Sequence, residues 1–285
     1  MTRNQGLSIR QACIAIHLSL SVYYYRFKEK DQDPQIIRAL ERLAERYPTY
    51  GFRKMFHMLR SQGSHWNHKR VYRVYKLMCL NIRRKRKRRL PARVKIPHII
   101  PIAGNITWSM DFMHDSLTSG RPFRTFNVID DHNREALMIC IDTSLSARRI
   151  IRELDRLIEW RGKPQVIRVD NGPEFTSVVF EAWGRKHRIK ICFIQPGKPT
   201  QNTLIERFNG SYRREVLSAH IFTDLNQVRD ETQSWIWTYN NIRPHESLGD
   251  TPPVKWIQKK GWKQIPSLLI DHHLKEEFIF IPASD

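Results

Sequence analysis

The segment 105–114, NITWSMDFMH, alternates between apolar and polar positions, which predicts a β-strand with one apolar face. Asp111 falls on the face opposite the apolar row. Two more strand-like segments follow, RTFNVIDDH and EALMICIDT, and they are joined by short connections. Because short connections place consecutive strands side by side, the three segments favour an antiparallel meander.

Helical and strand-like patterns then alternate through the rest of the chain. Residues 146–161 have helical apolar spacing, PQVIRVDN is a short apolar strand that ends at Asp170, and IKICFIQ is a fifth strand. Phe175, Phe180 and Trp183 are assigned to the helix between these last two strands. A final helix, after the loop PGKPTQ, carries four polar residues on related turns: Asn202, Glu206, Asn209 and Arg213. The predicted order is βββαβαβα, an α/β fold with a mixed sheet flanked by helices.

The first third of the chain has helical patterns throughout. Ser8 is placed to cap a helix that extends to about Ile16, and Ser19 to cap a second helix after a three-residue turn, which is helix-turn-helix geometry. A further group of helices begins at Asp33, where a capping residue precedes a proline, and ends with a helix capped by Asn67. An all-helical region therefore precedes the sheet.

Positive charge is concentrated in this helical third. The chain of 285 residues has 49 Lys and Arg against 28 Asp and Glu, a net charge of +21, and residues 1–100 hold 24 of the cations but only 5 of the acids. Such self-repulsion indicates a polyanionic partner, either nucleic acid or an anionic membrane surface. The sequence has no run of about 18 apolar residues, so it predicts no membrane-spanning helix. Nucleic acid is the favoured partner.

The cysteines bear on the cellular compartment. Cys13, Cys79, Cys140 and Cys192 lie far apart and form no CxxC pair, so neither a zinc framework nor a disulfide scaffold is predicted. We therefore expect a reduced, cytoplasmic protein.

Cations on the helices and in the run RRKRKRR at 83–89 are the candidate DNA contacts. The run predicts a solvated linker, which serves either as a flexible tether or as an arm that follows phosphates. For the helices, the alternative to DNA contact is a basic bundle that packs on the next domain. The candidate contacts are Arg53, Lys54, Lys69, Arg70, Arg73, Lys76, Arg84 and Lys85.

Three carboxylates are candidates for a site at one edge of the predicted sheet. Asp170 lies at the carboxyl end of a strand, where ligands of α/β sheets bind. Asp111 reaches the same place if its strand is a neighbour, and Glu206 comes from a helix packed across that edge. Converging carboxylates repel one another unless they bind divalent cations, and two such ions can activate an attacking oxygen and stabilise a leaving oxygen at a phosphodiester. Spacing alone leaves an ordinary surface or salt-bridged role open for each acid.

The segments around these acids, WSMDF, RVDNGPEF and GKPTQNTLIERFNGSYRRE, resemble the three catalytic motifs of the DDE integrase core. Thirty-five residues separate Asp170 from Glu206, similar to the spacing in that family. YGFRKMFHMLR and NHKRVYRVYKLMCLNIRRKRKRR resemble the helical DNA-binding segment before the core, and YNNIRPHESLGDTPP resembles the stretch after it. From about residue 7 to about residue 256 the chain is similar to the OrfB-type transposase subunit of the IS-three family of bacterial insertion sequences.

The resemblance implies an RNase H-like fold with a metal-dependent active site. Asp111, Asp170 and Glu206 are then the catalytic residues and the ligands of Mg²⁺ or Mn²⁺, with two ions expected. Asn171, which follows the second acid, is expected to steady the site.

Residues around the third acid are implied DNA contacts: Lys198, Asn202 and Arg207. A solvated loop position is the alternative for Lys198. Thr203 stands where the family often has alanine, a mild departure that we expect to leave Glu206 undisturbed.

The resemblance also implies partners. These are double-stranded DNA (the element's terminal repeats and the target), an OrfA product or a frameshift fusion with it, and further copies of the chain on DNA, in a cytoplasmic, nucleoid-associated location. The sequence lacks a segment like the OrfA helix-turn-helix and leucine zipper, so we expect the chain alone to cut poorly or not to recognise element ends. It also lacks the zinc-binding His/Cys domain of retroviral integrases.

The predicted organisation is a helical DNA-binding region at 1–82, a basic linker at 83–103, an integrase core with its C-terminal helix at 104–256 and an extension at 257–285. The predicted function is metal-dependent DNA strand cleavage and transfer at insertion-sequence ends. The alternative is a non-catalytic or truncated DNA-binding regulator derived from a transposase. A ribonuclease of the same fold would leave the basic first third unexplained.

Overall fold

Small polar residues start the first helices, as the sequence predicts. In the computed structural model, which describes residues 8–26, 33–82, 101–195 and 202–260, Ser8 Oγ accepts a hydrogen bond from the Gln11 amide and Ser19 Oγ from the Val22 amide. Asn67 Oδ1 accepts from the Lys69 amide at 2.9 Å. The helices of this region are α1 (Ile9–Ala15), α2 (Leu20–Tyr23), α3 (Asp33–Arg46), α4 (Phe52–Ser61) and α5 (His68–Leu77).

The start of α3 differs from the prediction. Asp33, expected to cap the helix, is its first residue. Its carboxylate instead accepts hydrogen bonds from two arginines of α5, Arg70 Nε at 2.9 Å and Arg73 Nη2. An acid in a region this basic is more strongly stabilised by two guanidinium groups than by backbone amides, and these groups hold the pKa of Asp33 below its usual value. The ion pairs fasten α3 to α5.

The core sheet has five strands in the order β3-β2-β1-β4-β5. The first three are antiparallel, and β1, β4 and β5 are parallel, so the predicted mixed sheet and the order βββαβαβα are confirmed. The strands are β1 (Thr107–Ser116), β2 (Pro122–Asp130), β3 (Ala136–Asp142), β4 (Val166–Val169) and β5 (Lys190–Phe193). The helices around them are α6 (Ala147–Arg161), α7 (Val178–His187), α8 (Thr203–Tyr212), α9 (Leu225–Asn241) and α10 (Pro253–Lys259).

Two apolar layers cover the sheet, one on each face. Trp108, Phe126 and Phe180 belong to the layer that packs against α6 and α7. Phe208 and Trp235 belong to the layer beneath α8 and α9. Since β1 is the central strand, its first residues are buried from both sides.

One aromatic residue lies outside its predicted helix. Phe175 is in the turn before α7, yet it is fully buried and its ring centroid is 5.2 Å from that of Phe112. Its apolar side chain fits the helical spacing, but its role is to anchor the turn that follows β4.

The helical region docks onto the core through one buried carboxylate. Helix α8 continues into a π-helical turn, Arg213–Leu217. There Glu215 accepts hydrogen bonds from Lys54 Nζ at 3.0 Å, Arg243 Nη2 at 2.9 Å and Trp235 Nε1 at 3.0 Å. Burial alone would raise the pKa of Glu215, but Arg243 and Lys54 hold it below its usual value. Breaking such a buried pair is costly because it leaves a charge without compensation.

Candidate active site

Asp111 lies in the middle of the central strand and faces α8. Its cross-strand neighbour is Asn127 of β2. Asp111 Oδ1 accepts a hydrogen bond from the Phe112 amide at 2.8 Å, and Oδ2 accepts from Asn209 Nδ2 of α8 at 2.8 Å. The sheet and the helix therefore fix this carboxylate together.

Asn209 is itself held by a second buried amide. Asn127 Nδ2 donates to Asn209 Oδ1 at 2.7 Å, and Asn127 is fully buried. Asn209 thus ties α8 to β1 and β2 through side chains, and in the π-helical turn that follows, Arg213 Nη2 donates a hydrogen bond to the His114 carbonyl oxygen at 2.8 Å. These contacts set where α8 lies on the sheet.

Asp170 immediately follows β4, which is parallel to and paired with β1. Its Oδ1 accepts a hydrogen bond from the Gly172 amide at 3.0 Å, and a Cβ at position 172 would lie 3.0 Å from that same oxygen. A methyl group at position 172 would therefore press on the Asp170 carboxylate and displace it by a few tenths of an ångström. Asn171 Nδ2 donates to the Ile194 carbonyl oxygen at 3.2 Å, which ties the turn to the end of β5.

Two residues that sequence analysis did not single out hold the other side of this turn. Arg124 Nη1 of β2 donates to Glu174 Oε1 at 2.5 Å, and the guanidinium lies 4.3 Å from the centroid of the Phe112 ring. Glu174 belongs to the RVDNGPEF motif, so its presence there was a signal. Arg124 gave none, because its approach depends on the register of β1 and β2.

Glu206 lies in the first turn of α8 and is exposed. Ile205 and Phe208, on either side of it, are buried against the sheet and orient the helix. Asn202, at the N-terminal end of α8, is buried, and within the described residues its Oδ1 has no hydrogen-bond partner.

The three acids are electrostatic neighbours. Burial raises the pKa of Asp111 to about 6, with repulsion from Asp170 and Glu206 adding to it and the Phe112 and Asn209 hydrogen bonds opposing it. Among the described residues, no three His, Cys, Asp or Glu side chains are grouped so that they could hold a metal ion. The charges of Asp170 and Glu206 reach Asp111, but the structure by itself does not assemble the three predicted acids into a metal site.

Within the described part of the chain, some of the predicted DNA contacts have acidic partners, and others are exposed without one. Several are engaged with acids: Arg53 with Glu246, Lys54 with Glu215, and Arg70 and Arg73 with Asp33. Lys69, Lys76 and Arg207 are exposed. Arg84, Lys85 and Lys198 lie outside the described residues.

Comparisons with family models divide the chain into two parts. An HTH-like domain model matches residues 29–88, and two integrase core domain models match residues 103–199 and 187–253. Within the described residues, no helix is both long enough and apolar enough to cross a membrane.

Two curated insertion-element proteins are similar over most of this chain. The IS476 uncharacterized 39.2 kDa protein of Xanthomonas euvesicatoria is 38% identical over 256 residues, which is 90% of this chain and 74% of that protein. The IS407 uncharacterized 31.7 kDa protein of Burkholderia multivorans is 38% identical over 254 residues, covering 89% and 92%.

A solved structure shares the fold at low sequence identity. It is a chain from the cryo-EM structure of the simian T-cell lymphotropic virus intasome in complex with the PP2A regulatory subunit B56 gamma. The TM-score is 0.51 with 18% identity, and the match covers 71% of this chain and 70% of that one.

Proposed function

This chain belongs to the insertion-element transposases with an HTH-like domain and an integrase core domain, and on that premise we propose that it cuts and joins DNA strands at the ends of such an element. The observation that carries the proposal is that Asp170 and Glu206 lie near enough to Asp111 for their charges to add to the burial that raises the pKa of Asp111 to about 6. A cation beside Asp111 would favour the ionised form of this carboxylate.

The donor set fits Mg²⁺ or Mn²⁺. All three side chains offer oxygen, the ligand that these hard cations prefer, and Mg²⁺ is usually bound by one or two carboxylates together with water and substrate phosphates. Asp111, Asp170 and Glu206 would hold the cations, with two ions proposed. When bound, such ions would activate the attacking oxygen and stabilise the leaving oxygen at a phosphodiester.

The chain's own residues supply the positioning. Asp111 and Asp170 are carried by paired parallel strands, so their separation is set by the sheet. Asn209 orients Asp111, while Asn171 and Gly172 shape the turn that carries Asp170. Placing reacting groups correctly lowers the barrier by several kcal/mol.

The proposed reactions are two successive transfers at phosphorus. In the first, a water oxygen bonds to phosphorus at the element's end and the bond to the 3′ oxygen breaks, which frees a 3′-hydroxyl. In the second, that hydroxyl oxygen bonds to a phosphorus of the target strand and the target's own 3′ oxygen leaves. Neither transfer requires a covalent enzyme intermediate.

We further propose double-stranded DNA as the substrate, an OrfA-type product or a fusion with it as a partner, and assembly of several copies on DNA in the bacterial cytoplasm. Lys69 and Lys76, exposed on α5, are the proposed backbone contacts of the helical region, since they lack carboxylate partners among the described residues. Arg53, Lys54, Arg70 and Arg73 are left out of this surface because acids already engage them.

The test is a strand-transfer assay on a plasmid that carries the element, with Mg²⁺ or Mn²⁺ and with or without the OrfA-type product. Asp111→Asn, Asp170→Asn and Glu206→Gln should each abolish cleavage, because an amide cannot replace a charged ligand, and each should leave DNA binding close to the wild type. The matched controls are Asp230→Asn and Glu231→Gln, which change exposed carboxylates on α9.

Near wild-type strand transfer by any one of the three variants would remove that residue from the site. Sequence-independent DNA binding with no cleavage under every condition would favour the alternative function, a non-catalytic DNA-binding regulator.

A further inference from the structure

A groove of about 1440 Å³ separates the helical region from the core. Its walls come from α4 and α5 on one side and from α8, the π-helical turn and the segment after α9 on the other. We call it the docking groove. Its volume is larger than that of the usual site for a small molecule, which is about 300–1,000 Å³. The size of the groove therefore favours a ligand larger than a small molecule.

The acids of the docking groove already have basic partners. Three residues of α4 pair with three carboxylates of the core, and these contacts hold the walls together. The pairs are Arg53 Nη1 with Glu246 Oε1 at 3.0 Å, Lys54 Nζ with Glu215 Oε1 at 3.0 Å and His57 Nε2 with Asp250 Oδ2 at 3.1 Å. Glu215 and Glu246 are therefore engaged by cations of α4, whereas Asp250 is neutralised only when His57 is protonated.

Three more arginines line the groove without an acidic side chain of their own. Arg207 and Arg214 are exposed, and neither forms an ion pair within the described residues. Arg134 is in the turn between β2 and β3 at φ 64°, and its Nη1 donates to the Asp131 carbonyl oxygen. Burial lowers the pKa of Arg134 and repulsion from Arg207 adds to this, while attraction from Asp131 and Asp130 opposes it. An excess of positive charge in a confined groove attracts an anion.

The arginines are placed next to the acid site. Arg207 directly follows Glu206 on α8, about 100° further around the helix, and Arg214 lies two turns beyond it. Seven residues of helix span about 10 Å, which is close to three base-pair steps of about 3.4 Å along the axis of a DNA duplex. A strand held by both arginines would pass beside Glu206.

We propose that the docking groove binds the sugar-phosphate backbone of the DNA substrate, with Arg134, Arg207 and Arg214 contacting phosphates. The proposal rests on the proposed function for the identity of the anion. It adds Arg134 and Arg214 to the DNA contacts and gives α4 a different part, that of bracing the groove.

The test measures binding of a fluorescent duplex by anisotropy in EDTA at several salt concentrations. The double variant R207Q/R214Q should reduce the slope of log affinity against log salt by about 1.8, because each lost phosphate contact removes about 0.9. The matched control R148Q/R152Q changes two exposed arginines of α6 and should leave the slope at the wild-type value. The variant R207K/R214K keeps both positive charges and should retain the wild-type slope. A retained slope would show that the loss in R207Q/R214Q comes from the missing charges and not from misfolding.

A wild-type slope for R207Q/R214Q, or an equal loss in the α6 control, would overturn the proposal. Loss of affinity for labelled poly-L-glutamate without loss for DNA would also overturn it, in favour of an acidic protein partner. This binding assay contains no metal and needs no cleavage. Absence of strand transfer by the wild type, both with and without the OrfA-type product, would therefore refute the proposed function without affecting the result for the groove.

Discussion

Replacing Asp111 by asparagine should make the metal-free protein more stable at neutral pH. The pKa of Asp111 is raised from 3.8 to about 6, chiefly by burial, so the folded state favours the protonated acid. The contribution of Asp111 to the free energy of unfolding is therefore most favourable below pH 3.8, and it is lost as the pH rises through about 6. A difference of about two pKa units corresponds to about 3 kcal/mol above pH 6.

Asparagine removes the charge and keeps most of the contacts. Its carbonyl oxygen can still accept from the Phe112 amide, while the Asn209 amide must rotate to present its oxygen in place of its nitrogen. That rotation disturbs the hydrogen bond from Asn127, and loss of such a bond costs about 1 kcal/mol. The expected net gain is about 1–3 kcal/mol at pH 8.

The assay is thermal unfolding followed by circular dichroism in EDTA at pH 8 and at pH 4.5. The variant should melt several degrees above the wild type at pH 8, since about 1 kcal/mol moves the midpoint of a domain this size by about 2–4 °C. Most of that gap should be gone at pH 4.5. Asp224→Asn is the control, because Asp224 caps α9 and asparagine caps equally well.

Equal or lower stability of Asp111→Asn at pH 8 would refute the reasoning. A gain that is the same at both pH values would refute it too, since the benefit would then come from packing and not from ionisation.

Three further perturbations test the surrounding structure. Gly172→Ala should impair cleavage far more than stability, because the added methyl group would press on Asp170 Oδ1. Activity and urea unfolding are measured in parallel, and unimpaired cleavage would contradict the prediction. Glu215→Ala should reduce the free energy of unfolding by about 3–5 kcal/mol, because it leaves Arg243 buried without its partner; a loss below 1 kcal/mol in urea unfolding would show that the docking contact is dispensable. Phe175→Ala should cost about 3–5 kcal/mol by the same measurement, and a smaller loss would mean that the turn after β4 can collapse into the cavity.

Much of the fold could be predicted because local signals agreed with tertiary packing. The alternation around Asp111 placed that residue on the face opposite the Trp108 row, and the structure has it there. The caps at Ser8, Ser19 and Asn67 needed only a small polar residue before an apolar stripe, and all three form.

The details that could not be predicted depend on contacts between distant segments. In the sequence, Lys54 cannot be distinguished from the exposed lysines of α5. Its hydrogen bond to Glu215, which lies 161 positions later in the chain, joins the helical region to the core. In the sequence, Asn127 has no feature that distinguishes it from other polar residues in a strand. Only the pairing of β1 with β2 shows that it lies opposite Asp111. No local pattern encodes such pairs.

The continuity of α8 with the π-helical turn constrains how such a protein can be recombined. Glu206 and Glu215 lie on one uninterrupted helical segment, so the acid at the sheet edge and the residue that receives α4 move together. A chimera that joined the helical region of another element at the basic linker would present a foreign α4 to Glu215, and without a residue equivalent to Lys54 it would lose a contact to the segment that carries Glu206. The helical region and the face of α8 that contacts it therefore have to be exchanged together.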